Sequence, residues 1–307
     1  MSLLGRFGRA PRAATLELNR NACRVCGGSL HFVWELGVLG DQYQARYYEC
    51  DACRALQIPD VPWLSEAYQN EGAGHACDRD TGRFRRCFSA AWYLHVLTRV
   101  GVVPATGRLL DWGGGHGLLS RMLRDTGMDA WTYDPHVSVP LFSADRAIAD
   151  DKAMAEGCFD VVTAFEVLEH LLDPAGTAQS VQRVLEPTGT VVVSTGVYRS
   201  GHHDASWHYL AVEGGQHITF WSEAALGHFG SLLGKNSVGY FPGREGFLIV
   251  FSDHSQDVLD GFLAEAALIV RDDMALATFS RAFDFITDGV VPSIDPAVQP
   301  VRRARAC

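Results

Sequence analysis

The chain has 307 residues, 47% of them hydrophobic and 20% charged, with a formal net charge of −10. That length supports one large core with appendages, and no apolar run reaches the ~18 residues that a membrane-spanning helix needs. The acidic balance argues against nucleic acid as the main partner. Residues 1–20 hold four arginines and one acid. They lack a continuous apolar segment of signal-peptide character, so they read as a flexible lead and the protein as cytoplasmic.

Residues 21–66 form a cysteine-bearing unit. Cys23-x-x-Cys26 and Cys50-x-x-Cys53 are separated by 23 residues, and two such pairs point to tetrahedral zinc. Gly27 and Gly28 help the first knuckle turn its N–H groups toward the sulfurs. Four thiolates leave no open position, so the expected zinc is structural. The alternatives are two disulfides, disfavoured without export, and a redox pair, which needs a thioredoxin-like context that is missing. Cys77, Cys87, Cys158 and Cys307 have no such spacing. Residues 67–106 are a connector with Gly72, Gly74 and Gly82, followed by a helix over 89–100.

From 107 to 195 strand and helix patterns alternate. Strands are predicted at 108–112, 129–133, 159–165 and 190–195, and helices at 117–126, near 138–146 and at 174–185. Alternation of this kind predicts an α/β fold with a Rossmann-like, mostly parallel sheet. Past 195 the rhythm gives way to a segment rich in Gly, His, Tyr and Trp. A helix at 222–233 and a hairpin of strands near 237–241 and 246–252 follow, closing a core that runs from 107 to 253. Residues 254–307 are a helical extension, periodic over 255–288, and a loose tail.

The segment Leu109-Leu110-Asp111-Trp112-Gly113-Gly114-Gly115-His116-Gly117-Leu118 reads as strand, tight turn and helix start. Glycines there let the backbone approach a ligand, and the new helix presents unpaired N–H groups. The dinucleotide fingerprint G-x-G-x-x-G is not met, because the sixth position is Leu118. Asp111 would repel a pyrophosphate and suits a cationic amino-acid ligand. At these residues the chain resembles the class I S-adenosylmethionine-dependent methyltransferases, whose first motif is apolar-apolar-Asp-x-Gly-x-Gly-x-Gly. Three further segments carry the resemblance. Trp131-Thr132-Tyr133-Asp134 ends in an acid about twenty residues past the first glycine, where a carboxylate can accept ribose hydroxyls. Phe159-Asp160-Val161-Val162 through Glu166-Val167-Leu168-Glu169-His170 matches the run beside the methyl-transfer site. Leu185-Glu186-Pro187-Thr188-Gly189 matches the family's turn, with Thr188 in place of a glycine. The cysteine unit ahead of such a core is similar to the zinc-bearing module of bacterial sugar C-methyltransferases.

The resemblance implies that Asp111 holds the amino-acid end of S-adenosylmethionine and that Gly113, Gly115 and Gly117 give it backbone access. It further implies that Asp134 holds the ribose, that Asp150 or Asp151 (Asp150 preferred) meets the adenine, and that Phe165 and Glu166 end the strand 159–165 beside the donor. Methyl transfer needs alignment and, where the acceptor has a proton to lose, a base. Glu166, Glu169 and His170 are the nearest candidates, although Glu169 and His170 suit the capping of the next helix equally well. The resemblance also implies that His208, Tyr209 and His217, after the strand 190–195, meet the acceptor, and His208 and His217 are favoured to take its proton because histidine titrates near neutrality. The expected acceptor is a small molecule such as a sugar nucleotide or glycan precursor, methylated at C, O or N. Two alternatives stand beside this reading: a nicotinamide-dependent oxidoreductase and a non-catalytic zinc-ribbon binding protein.

Overall fold

A computed structural model describes residues 22–69, 82–137, 139–148, 157–243 and 246–272. The main sheet contains β4 (Arg108–Trp112), β5 (Asp129–Tyr133), β6 (Ala147–Ile148), β7 (Phe159–Phe165), β8 (Leu185–Thr195), β10 (Ser237–Gly243) and β11 (Gly246–Ser252), in the order β10-β11-β8-β7-β4-β5-β6. β4 pairs in parallel with β5 and β7, β5 with β6, and β7 with β8, while β11 runs antiparallel to both β8 and β10. The fold is therefore α/β and Rossmann-like, with an antiparallel pair at one end. Strand order reverses beside β4, the position where such sheets bind ligands at their carboxyl ends.

Neighbouring residues explain the layers. Leu109, Val161, Val192 and Val250 join one buried cluster with α2 (Arg83–Arg99), α3 (Leu118–Asp125) and α6 (Gln256–Asp272). Leu110, Val162, Val193 and Ile249, one residue away in each strand, join the opposite cluster with α4 (Pro174–Val184) and α5 (Glu223–Leu232). Side chains alternate across a strand, so a sheet covered on both faces needs apolar residues at successive positions.

The smaller sheet, β1-β2-β3-β9, joins the cysteine segment to the loop that follows β8. β1 (Leu30–Val38), β2 (Tyr43–Cys50) and β3 (Leu56–Gln57) are followed by the short helix α1 (Leu64–Gln69), and β3 pairs with β9 (Thr219–Phe220). Tyr47, Leu56, Ile58 and Trp63 share a core with Tyr198, Leu210, Ile218 and Phe220. The cysteine unit is thus built into the main body.

Several expectations change. Instead of a helix near 138–146 there is a three-residue 3-10 turn, Ala144–Arg146, leading into β6. Val139, Leu141 and Phe142 are exposed, so they form no buried helical face, and Pro140 has no N–H to donate. The helix expected from 89 begins at Arg83. The strand expected from 190 begins at Leu185, and its pairing with β7 jumps from Phe159↔Leu185 to Val161↔Thr190, which places Pro187-Thr188-Gly189 in a bulge. The last helix is described to Asp272, and the rest of 255–288 lies outside the described residues.

Candidate active site

The turn after β4 is set by its glycines. Gly113, Gly115 and Gly117 have φ of +72°, +56° and +75°, the left-handed region that L side chains rarely adopt. The N–H groups of Gly113 and Gly114 donate to the Tyr133 carbonyl at 2.8 and 3.2 Å, tying the turn to β5. A Cβ on Gly114 would lie 2.4 Å from both Asp111 Oδ2 and Thr132 Oγ1. Gly114 therefore allows the main chain to cross directly over the Asp111 carboxylate.

Asp111 is 3% exposed. Thr163 donates to its Oδ1 at 2.9 Å. Burial pushes its pKa up to about 7, the Thr163 hydrogen bond opposes that rise and the Asp134 charge adds to it. His116 Nδ1, on the same turn, and Thr132 Oγ1, on the strand beneath it, are buried with no hydrogen-bond partner among the described residues. Such groups are costly unless a ligand or water satisfies them. A polar ligand with a cationic end fits both the carboxylate and these orphaned atoms. Asp134 accepts from Gly115 N–H and His136 N–H, both at 2.8 Å. Its carboxylate has lone pairs to spare beside these two bonds. Phe165 ends β7 packed on the core. Asp150 and Asp151 lie outside the described residues.

Across the turn, a Cβ on Gly113 would lie 2.6 Å from Val167 Cγ2, so the segment 166–170 stands against the glycine loop. Glu166 has φ +54°, a strained conformation for a non-glycine residue. Ser194 holds it there. The Glu166 N–H donates to the Ser194 carbonyl and hydroxyl at 3.1 and 3.2 Å, and the Ser194 hydroxyl donates to Glu166 Oε1 at 2.7 Å. Burial and the Glu169 charge raise the Glu166 pKa, while Ser194, Tyr209 and the Arg86 charge oppose that rise.

Glu169 is fully buried. Thr195 donates to its Oε2 at 3.1 Å, and Tyr209 Oη lies 2.8 Å from its Oε1 and 3.1 Å from Glu166 Oε2. His170 and His217 flank it, each with Nε2 3.9 Å from Glu169 Oε1. The capping role expected for Glu169 or His170 falls instead to Asp173, which accepts from Gly176 N–H at 2.9 Å at the start of α4. The structure therefore brings Glu166, Glu169, His170, Tyr209 and His217 together. His208 is exposed and does not join that cluster among the described contacts. Thr163 and Ser194, which orient the acids, sit inside β-branched strand runs and show no sequence signal of their role.

The four cysteines converge as their spacing predicts. Their Sγ atoms all lie within 4.8 Å of one another, with Cys23–Cys53 at 3.6 Å and Cys26–Cys50 at 3.5 Å. All four thiols are free. Zinc–sulfur bonds of about 2.3 Å put tetrahedral sulfurs ~3.8 Å apart, so the set fits zinc. Both knuckles fold alike. The N–H of Gly27 reaches the Cys23 carbonyl at 2.8 Å, that of Arg54 reaches the Cys50 carbonyl at 3.0 Å, and both Gly27 and Arg54 are left-handed. A Cβ on Gly28 would touch Cys50 Sγ at 3.0 Å and Cys26 Sγ at 3.3 Å. The hydrogen bond between Cys23 and Cys53 draws the Cys23 thiol down to about 5 and pushes the Cys53 thiol up.

Residues 82–234, just under half of the chain, match the family model described as "Methyltransferase domain". Among curated proteins, the chain is 35% identical over 101 residues to a ubiquinone biosynthesis O-methyltransferase of Pseudomonas aeruginosa, covering 29% of this chain and 44% of that one. It is 31% identical over 129 residues to the protein of that name from Ralstonia nicotianae, covering 38% and 52%. The chain thus spans about half the length of the curated relatives it matches. Among solved structures, a Burkholderia thailandensis 1,6-didemethyltoxoflavin-N1-methyltransferase with bound S-adenosylhomocysteine aligns at TM-score 0.46 and 15% identity over 74% of this chain and 99% of that one. Residues 82–234 thus match a methyltransferase domain, and they carry most of the Rossmann-like sheet.

Proposed function

We propose that the protein transfers a methyl group from S-adenosylmethionine to a small molecule held between the segment 166–170 and the loop 207–217. The observation that carries this reading is the buried Asp111 carboxylate beneath the glycine turn, with Thr132 Oγ1 and His116 Nδ1 unpartnered beside it. When bound, S-adenosylmethionine supplies a methyl on a sulfonium, and the protein's task is to align acceptor and donor. Asp111 holds the amino-acid ammonium, Gly113, Gly115 and Gly117 admit it, Asp134 takes the ribose hydroxyls, and Asp150 remains the candidate for the adenine. On the acceptor side Glu166 takes the departing proton, while His170 and His217 line the acceptor. The acceptor class that best suits the cysteine unit's resemblance is a sugar nucleotide or glycan precursor. The curated relatives, whose names give O-methylation, overlap only part of the chain.

We further assign a structural zinc to Cys23, Cys26, Cys50 and Cys53, which implies a reducing compartment such as the cytoplasm. Thermal melting separates the methyltransferase from the oxidoreductase. S-adenosylhomocysteine should raise the melting temperature and NAD should leave it unchanged, and the reverse outcome overturns the proposal. Labelled donor with candidate nucleotide sugars, read by mass spectrometry, then identifies the acceptor.

A further inference from the structure

We propose that Tyr68 is a positioning residue that links the donor side of the site to the acceptor side through its stack on His136, so that the donor binds first and its arrival completes the acceptor wall. The inference rests on the methyltransferase reading and concerns two residues to which that reading gives no role. Tyr68 lies on α1, in the cysteine unit, while His136 follows β5, two residues past Asp134. Their rings lie nearly parallel, with centroids 4.5 Å apart and planes 10° from one another. His136 is exposed and Tyr68 half-buried. The imidazole stands outside the buried cores, and its seat is fixed from two sides: by the phenol ring, and by its own main-chain N–H, which donates to Asp134 Oδ1 at 2.8 Å. An N–H donated to a carboxylate two residues back closes a tight local turn, so the His136 ring moves with the carboxylate.

Asp134 stands on the donor side, where its other oxygen accepts from Gly115 N–H in the glycine turn at 2.8 Å. Ribose hydroxyls that donate to this carboxylate hold it in one orientation, and the His136 N–H with it. Tyr68 stands on the acceptor side. Its ring meets that of His170 edge-on, at 6.4 Å and 61°, and His170 in turn meets His217 at 5.0 Å and 81°. α1 has six residues, too few to be stable alone, and the acceptor loop holds it. Gln216 Nε2 donates to the Ala67 carbonyl at 3.2 Å, and the Gln216 carbonyl accepts from His170 Nδ1 at 3.1 Å. Trp63 Nε1, just ahead of the helix, donates to the Gly215 carbonyl at 2.8 Å. A continuous series of contacts thus runs from Asp134 through His136 and Tyr68 to α1, Gln216 and His170.

The stack is the joint of that series. One aromatic pair shifts an equilibrium by about two- to tenfold, enough to bias an arrangement and too little to lock it. Without donor the stack opens and closes. With donor, Asp134 is held and the stacked arrangement is favoured. The coupling is reciprocal: a completed acceptor wall tightens the donor, and loss of the stack weakens it.

The test uses the full chain, zinc-loaded, with saturating S-adenosylhomocysteine, and reads amide hydrogen exchange beside calorimetric affinity. In the native chain the ligand should slow exchange at the glycine turn 113–117 and also at 64–69 and 215–218. Tyr68→Leu and His136→Ala should each weaken the ligand about two- to tenfold, keep the protection of 113–117 and lose that of 215–218. Tyr68→Phe, which keeps the ring, should restore both readouts. The double variant should bind no more weakly than the weaker single one, because the two residues act through one contact. His136 is exposed, so its truncation separates loss of the stack from loss of the fold. Residues 215–218 that ignore the ligand in the native chain overturn the inference, as do single variants that keep their protection or a double variant whose losses add. A native chain that binds no S-adenosylhomocysteine overturns the donor reading and this inference with it, whereas unprotected 215–218 in a chain that binds it overturns the inference alone.

Discussion

At the scale of single residues, Asp111 sets opposing demands on stability and binding. Its folded-state pKa of about 7 lies above the ordinary carboxyl value of 3.8. A carboxyl whose pKa is raised by folding stabilises the folded state below the unfolded pKa and loses that contribution as pH rises through the folded pKa. The protein without donor should thus lose stability between about pH 4 and pH 7, and Asp111→Asn should flatten that slope in a pH series of melting curves. Donor binding has the opposite sign, because an ammonium selects the ionised carboxylate. Affinity for S-adenosylhomocysteine should be flat above pH 7 and fall about tenfold per pH unit below it. Asp111→Asn should lose roughly ten- to a hundredfold in affinity at pH 8 together with that slope. A melting curve raised at neutral pH with binding diminished would be the signature of the variant.

Gly114 makes a second residue-scale case. The motif spacing singles out Gly113, Gly115 and Gly117, yet it is at Gly114 that a Cβ would strike Asp111 and Thr132. Gly114→Ala should cost ~1–3 kcal/mol through overpacking and abolish measurable heat on donor titration. Normal binding by this variant would show that the turn does not cross the carboxylate so closely. No sequence pattern separates the two kinds of glycine, because the distinction depends on which side chain lies beneath.

At the scale of elements, the strands were legible because a doubly covered sheet writes itself as consecutive apolar residues. The segment 139–148 was not, since Val139, Leu141 and Phe142 are apolar yet exposed. The acceptor-side cluster was only half visible. Glu166, Glu169 and His170 share one turn, but His217 joins them through a loop fixed by distant partners. Ile218 N–H donates to the Glu169 carbonyl at 2.9 Å and Thr219 Oγ1 to the Leu171 carbonyl at 2.9 Å. From the other side Arg24, inside the first cysteine knuckle, donates to the carbonyls of Ile218 and Ile58 at 3.1 and 2.5 Å and to Thr219 Oγ1 at 2.9 Å. Burial holds that guanidinium down to about 10. Arg24→Met should leave buried acceptors unmatched, at about 1–3 kcal/mol, and lower the melting temperature by several degrees while zinc content stays at one atom per chain. An unchanged melting temperature would remove Arg24 as the tie between the two regions.

At the scale of the whole molecule, the cysteine unit and the residues that match the methyltransferase family model share strands, cores and the His217 loop. On the proposed reading, zinc at the four cysteines tethers the His217 loop as well as its own knuckles. Stripping it with a chelator under reducing conditions should lower the melting temperature and loosen residues 215–220, seen as faster amide exchange there. Metal analysis of fresh reduced protein should return about one zinc per chain, and less than half an atom would remove this part of the account. The two regions were separable in the sequence because their motifs are local. Their fusion was hidden, because β3 and β9 are two residues each and carry no periodic pattern.

The donor pocket bears the weight of the whole reading, and isothermal calorimetry of S-adenosylhomocysteine against the zinc-loaded full chain tests it most directly. Saturable heat with one site per chain is expected at pH 8, greatly weakened by Asp111→Asn. Well-folded protein that gives no heat with S-adenosylhomocysteine or S-adenosylmethionine, or an Asp111→Asn variant that binds as tightly as the native chain, would contradict it.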